Sequence, residues 1–102
     1  SSEIKRHMYR LAFSAHFKKQ FKKLSSADQE RTVRVLENFM ESVQKSSLTA
    51  GYGFKKINGD KYELRADIRT RIAMKLDGDT LVCHVVGDHE TIRGYLRDYR
   101  NK

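Results

Sequence analysis

With 102 residues, 38% of them hydrophobic and 33% charged, the chain has the size and composition of one globular domain with a modest core. No stretch is apolar for long enough to span a membrane. The first ten residues are polar and basic, unlike a secretory leader. The single cysteine, Cys83, excludes a disulfide framework within one chain, and a cytoplasmic location is expected. The net charge of +8 points to polyanionic partners, nucleic acid being the commonest, with an acidic protein or an anionic membrane surface as the alternatives.

Residues 1–7 show no periodicity and read as a vector-derived remnant. Met8 then reads as the natural start, and residues 8–102 as a single domain. Residues 9–13 alternate loosely, as a short strand does. Ser14 is placed to cap a helix over 15–24, in which Phe17, Phe21 and Leu24 recur at helical spacing. Lys18, Lys19, Lys22 and Lys23 fill its other faces, either as a solvated surface or as a contact for phosphates. Residues 26–29, Ser-Ala-Asp-Gln, have the form of a capping box and open a longer helix over 27–45. Its predicted apolar stripe is Val33, Leu36, Phe39, Met40 and Val43.

A loop over 46–53 follows, with Gly51 and Gly53 as breakers. Residues 54–57 suit a short edge strand, and Asn58-Gly59-Asp60 is a hairpin turn signal. In 62–66 the side chains alternate, Tyr62, Leu64 and Ala66 against Glu63 and Arg65. After a turn at 67–70 the alternation resumes in 71–76, with Ile72, Met74 and Leu76 inward and Arg71 and Lys75 outward. Such strands suit a half-covered sheet with one charged face. Asp77-Gly78-Asp79 is a second hairpin signal, and 81–86 is the continuous apolar run of a central strand. Asp88 can cap a last helix striped by Ile92, Tyr95, Leu96 and Tyr99, which Gly94 requires to be short or held by tertiary contact. This order predicts an α+β domain. An N-terminal strand and a helical hairpin pack on a mainly antiparallel four- to five-stranded sheet, with helices on one face and a short C-terminal helix.

The four histidines and Cys83 lack metal-ligand spacing, and neither a glycine-rich phosphate loop nor a nucleophile elbow is present, so neither a metal nor a cofactor is expected. What remains is the charged sheet face. Arg65 and Arg71 share outward parity on adjacent strands, and His89 follows the central strand at the start of the last helix. Scattered, these are solvated side chains. Gathered at one end of adjacent strands, they can grip a phosphodiester, because the planar guanidinium fork donates two parallel hydrogen bonds.

Five segments, in this order and spacing, resemble the RelE/ParE superfamily of toxins from bacterial toxin–antitoxin pairs. They are Phe54-Lys55-Lys56-Ile57-Asn58-Gly59, Tyr62-Glu63-Leu64-Arg65, Arg71-Ile72, Val86-Gly87-Asp88-His89 and Tyr95, and the likeness covers essentially Met8 to Tyr99. It implies the α+β fold derived above. For the RelE-like branch it implies a metal-free, ribosome-dependent mRNA endonuclease that stops translation. There the RNA 2′-hydroxyl attacks its own 3′-phosphate and the 5′-oxygen leaves.

By this resemblance Arg65 looks like the basic residue of the family's third strand, and Arg71 like the arginine that grips the scissile phosphate. His89 falls where such toxins place an arginine or histidine as general acid, and Tyr95 matches a C-terminal tyrosine of RelE. Lys55 and Lys56 resemble basic residues before the second hairpin. With Lys18, Lys19, Lys22 and Lys23 they are the candidate RNA contacts. Glu63 departs from the pattern, standing where RelE has a lysine. The glutamate base of the YoeB-like branch falls near Gly51–Gly53, where no carboxylate is present. Glu63 and Lys56 are then the candidate bases, although Glu63 also reads as the ion-pair partner of a lysine and Tyr95 as a core residue. The implied partners are an acidic antitoxin covering Arg65 and Arg71, mRNA in the ribosomal A site, and ribosomal RNA, with no membrane. The alternatives are a ParE-like toxin, which keeps the fold, lacks the catalytic set and poisons DNA gyrase, or a degenerate member that only binds its antitoxin.

Overall fold

The computed structural model describes residues 8–45 and 53–100; the remnant expected at 1–7, residues 46–52 of the loop expected over 46–53 and the side chain of Tyr99 lie outside the described residues. The chain runs β1 (Arg10–Phe13), α1 (Ala15–Lys23), α2 (Ser26–Lys45), β2 (Phe54–Asn58), β3 (Lys61–Arg65), β4 (Arg71–Asp77), β5 (Thr80–Gly87) and α3 (His89–Arg100). The five strands form one sheet in the order β1-β5-β4-β3-β2. β1 runs parallel to β5, and every other pair is antiparallel. The β2–β3 and β4–β5 hairpins turn through Gly59 at φ +51° and Gly78 at φ +63°, left-handed backbone that a side chain disfavours.

Ser14 ends β1 and starts α1 with one hydroxyl. Its Oγ accepts from the Phe17 N–H at 3.0 Å and donates to the His84 carbonyl at 3.0 Å, so the cap is also tied to the central sheet. The second helix starts one residue earlier than the capping box implies. Ser25 Oγ accepts from the Asp28 N–H at 3.1 Å, and the Gln29 amide donates to the Phe21 carbonyl at 2.9 Å. Gln29 thus satisfies one of the last carbonyls of α1 instead of closing a box. The buried stripe of α2 shifts with it. Thr32, Leu36, Phe39 and Val43 face inward, Met40 is half-buried, and Val33 is 44% exposed. Position 33 lies about 100° around the helix from position 32, away from the sheet.

The expectation of helices on one face is corrected by the structure. α1 and α2 cover one face, where Phe17, Leu36, Phe39 and Val43 meet Tyr62, Leu64, Ile72, Met74, Leu81, Cys83 and Val86. α3 crosses the other face over β5 and β4, and Ile92, Tyr95 and Leu96 pack on Ala73 and Val85. The charged face is therefore partly covered, and β4 is buried on both sides at Ile72, Ala73 and Met74. The continuous apolar run of β5 serves both cores through a bulge. Met74 pairs with Cys83 but Ala73 pairs with Val85, so His84 is an extra residue on β5. Cys83 and Val86 can then both enter the first core while Val85 enters the second. Burial pushes the Cys83 thiol up to about 12, as suits a small core side chain.

These caps are testable. Ser25→Ala and Ser14→Ala should each cost about 1 kcal/mol, Ser14 somewhat more because it also loses the tie to His84. Ser26→Ala should stay within about 0.5 kcal/mol. Urea midpoints at constant m-value measure all three.

Candidate nucleic-acid interface

Strand pairing places the cations. Arg65 and Arg71 are directly opposed across β3 and β4, and Arg71 is opposed by Gly87 across β4 and β5. One row across three strands therefore reads Arg65, Arg71, Gly87. Asp88 follows, and then His89, exposed at the first position of α3. The sheet thus brings Arg65, Arg71 and His89 to one end.

Gly87 sets how closely α3 approaches. A Cβ at this position would stand 2.9 Å from Thr91 Cβ, so only glycine lets the first turn of α3 close against the end of β5. Asp88 fixes that turn, its Oδ1 accepting from both the Thr91 N–H and hydroxyl at 2.8 Å. These bonds, the backbone one foremost, hold the Asp88 carboxyl below its ordinary range.

Two arginines facing each other across a ladder repel, and Glu63 offsets this. Its Oε2 accepts from Arg71 Nη1 at 3.0 Å, and the residue is only 5% exposed. The ion-pair partner of Glu63 is thus an arginine, not the lysine that the sequence suggests. Arg71 Nε is also buried and finds no acceptor among the described residues. The carboxylate on one side leaves Arg71 oriented, and its buried Nε can meet a further anion only if the guanidinium turns outward.

The β3–β4 turn that joins the two arginines is fixed by Asp67. Its Oδ1 accepts from the Arg69 and Thr70 N–H groups at 2.7 Å each, and its Oδ2 accepts from Arg31 Nη1 of α2 at 2.8 Å. The Thr70 bond is the main reason that its carboxyl lies below the ordinary value of 3.8.

The remaining candidates fall in three places. Lys55 pairs with Glu63 and shares the arginine face, whereas Lys56 pairs with Tyr62 and has the opposite parity. Tyr95 lies six residues into α3, about 9 Å along its axis from His89. There it packs in the second core and stacks on His84 with centroids 5.7 Å apart. Lys18, Lys19, Lys22 and Lys23 are exposed on α1, which covers the opposite face of the sheet from α3, so they are not gathered with Arg65 and Arg71. Lys61 opposes Lys75 four residues along from the arginine pair and adds to the same face, with Asp60 within 3.6 Å of Lys61 and 4.0 Å of Lys75. Counting back two residues from Glu63 would have found Lys61 in the sequence. Burial, then Lys75 and Lys61, lower the pKa of His84 on that face. Among the described residues no three histidine, cysteine, aspartate or glutamate side chains form a metal-holding group, and no helix is long and apolar enough to cross a membrane.

No family model and no curated protein sequence matches the chain. Solved structures do. The toxin fold of the RelB–RelE antitoxin–toxin complex from Methanococcus jannaschii superposes with a TM-score of 0.63 at 24% identity, covering 82% of this chain and 96% of that one. The YoeB–YefM complex from Staphylococcus aureus gives 0.60 at 15% identity, covering 80% and 98%. YafQ from E. coli gives 0.56 at 16% identity, covering 83% and 98%. The chain therefore has the RelE-like fold of the RelE/ParE toxins, as its sequence resemblance implies.

Two outcomes would check this electrostatic layout. Arg71→Ala strands a buried carboxylate and should cost about 1–3 kcal/mol, while Arg65→Ala, at an exposed position, should stay within about 0.5 kcal/mol. Asp67 has a depressed folded-state pKa, so its contribution is present above the unfolded value near 3.8 and lost as pH falls from there through the lower folded value. The stability gap between the wild type and Asp67→Asn should therefore close on acidification across that window, as followed by thermal unfolding.

Proposed function

We propose that this protein is a toxin of a toxin–antitoxin pair that cleaves mRNA on the ribosome. The observation that carries the reading is the row Arg65–Arg71–Gly87 with His89 two residues beyond it. It supplies two cations for a phosphodiester and a proton donor beside them, on a fold shared with RelE, YoeB and YafQ. In this reading Arg65 and Arg71 neutralise the charge that develops on the pentacoordinate phosphorus. His89 donates its proton to the departing 5′-oxygen. Of the two candidate bases, Glu63 shares the face of the arginines and Lys56 does not. Glu63 is released when the Arg71 guanidinium turns to the phosphate, and it takes the 2′-hydroxyl proton. The attack closes a 2′,3′-cyclic phosphate and frees a 5′-hydroxyl, so protons and bonds balance without an added water. Tyr95 supports α3 from its core position. Lys55, Lys61 and Lys75 continue the cationic face for the RNA backbone, and the α1 lysines offer a separate surface to ribosomal RNA.

The Glu63–Arg71 pair favours a second reading, because it already occupies the arginine assigned to the phosphate. On that reading the chain is a non-catalytic, ParE-like binder.

Solved relatives are complexes of RelE with RelB and of YoeB with YefM. An acidic partner of this kind suits a chain of net charge +8 and would cover the arginine face. Its association should slow as salt rises, and a salt-independent rate in stopped-flow mixing would remove the electrostatic basis of that pairing.

Mapping of cleavage on translated mRNA tests the main reading. The wild type should cut within ribosome-bound codons and arrest growth when expressed alone. His89→Gln should lower the rate by about 10²-fold with stability within about 0.5 kcal/mol. Arg71→Ala should also abolish cutting, through lost phosphate charge. Full activity in His89→Gln rejects the acid assignment. Growth arrest through stalled gyrase, with mRNA intact, selects the second reading.

A further inference from the structure

The β3–β4 turn and α2 enclose a cleft of about 470 Å³ that the proposed chemistry does not use. Val35, Asn38 and Ser42 line it from one face of α2, at helical spacings of three and four. Arg65 and Ile68 line it from β3 and the turn. The two walls are tied together at 2.8 Å by the Arg31–Asp67 ion pair, one further turn up the same face of α2. Asp67 also holds two backbone N–H groups of the turn, so the wall that carries Ile68 is pre-shaped. The volume falls in the range of small-ligand sites.

Ile68 is 85% exposed, the highest value among the exposed large hydrophobic residues. Covering such a side chain is worth roughly 1.5–3 kcal/mol, and the rigid turn presents it in the open beside a cationic row. Arg65 belongs to both places. It faces Arg71 across the ladder, and it forms part of the cleft wall. Arg65 itself points to the face opposite α2, so a polyanion held there would reach the cleft mouth by turning round the end of β3. Val35 and Ile68 offer methyl surfaces to the flat face of a ring, and the Asn38 amide and Ser42 hydroxyl offer donors and acceptors to its edge. Single-stranded RNA presents those two features together, an apolar base plane and a polar base edge on an anionic backbone.

We propose that this cleft receives the base of the nucleotide next to the phosphodiester held by Arg65 and Arg71, and so sets base preference. The proposal rests on the reading of those arginines as a phosphate grip, but not on catalysis.

The test uses the full chain with isoleucine and valine methyl groups labelled, and two probes. One is a 2′-O-methyl RNA trinucleotide, which cannot be cleaved. The other has the same backbone without bases. The trinucleotide should shift the Ile68 and Val35 methyl resonances and bind about tenfold more tightly than the abasic form, as one stacked base contributes. Ile68→Ser and Asn38→Ala should reduce that preference to less than about threefold while leaving the abasic affinity unchanged. Ile68 is exposed, so its variant folds. Equal affinity for both probes, or silent Ile68 and Val35 methyls, overturns the proposal. Methyl shifts seen only in complex with an acidic protein overturn it in favour of a protein-docking cleft. If base preference is found in a chain that cuts no mRNA, the cleft stands and only the nuclease reading fails.

Discussion

β4 lies in the middle of the sheet with a core on each side, and its register with β3 and β5 decides where the polar groups of the site fall. Ile72 and Met74 enter the core under α1 and α2, Ala73 enters the core under α3, and Arg71 begins the strand opposite Arg65 and Gly87. A slip of one residue would send Arg71 towards the first core and Ile72 to the charged row. The two cores penalise that slip on both faces at once, so the position of the cationic row is backed by apolar packing and not by the charges themselves.

The charges in fact oppose their own arrangement. Arg65 faces Arg71, and Lys61 faces Lys75. The structure meets this with single carboxylates placed locally: Glu63 against Arg71, and Asp60 near Lys61 and Lys75. Each leaves the face net positive. Glu63 carries most consequence, because it is buried and because the same contact that steadies Arg71 also competes with any phosphate for it.

Three short-range devices hold the ends of the strands that carry the site. Asp67 folds the β3–β4 turn and ties it to α2, Asp88 starts α3, and Gly87 lets that first turn lie close to the sheet. Arg65, Arg71 and His89 thus stand on braced positions, as a site that must hold a phosphate geometry requires. The lysines of α1 stand on the other side of the sheet, so among the described residues the α1 lysines and the arginine row form separate cationic surfaces.

Local pattern in the sequence was enough for the elements, because helix and strand periodicity and turn chemistry act over a few residues. The alternation of 62–66 and 71–76 assigned Arg65 and Arg71 to one face, Gly59 and Gly78 marked the hairpins, and Ser14 marked the start of α1. Non-local choices were not legible. Ser25 and Ser26 are equivalent caps by composition, and only the meeting of Gln29 with the Phe21 carbonyl separates them. Thr32 replaces Val33 in the core because the orientation of α2 on the sheet, not residue polarity, decides which line of the helix is buried. The alternation that places Glu63 among outward residues says nothing of α3 crossing that face, nor of the bulge at His84 that lets β5 feed two cores. Residue type and spacing thus determined the strands, the helices and the parity of the arginines. The partner of Glu63, the second covered face and the cleft beside Arg65 were decided by packing between segments distant in the chain, where burial outweighs local preference.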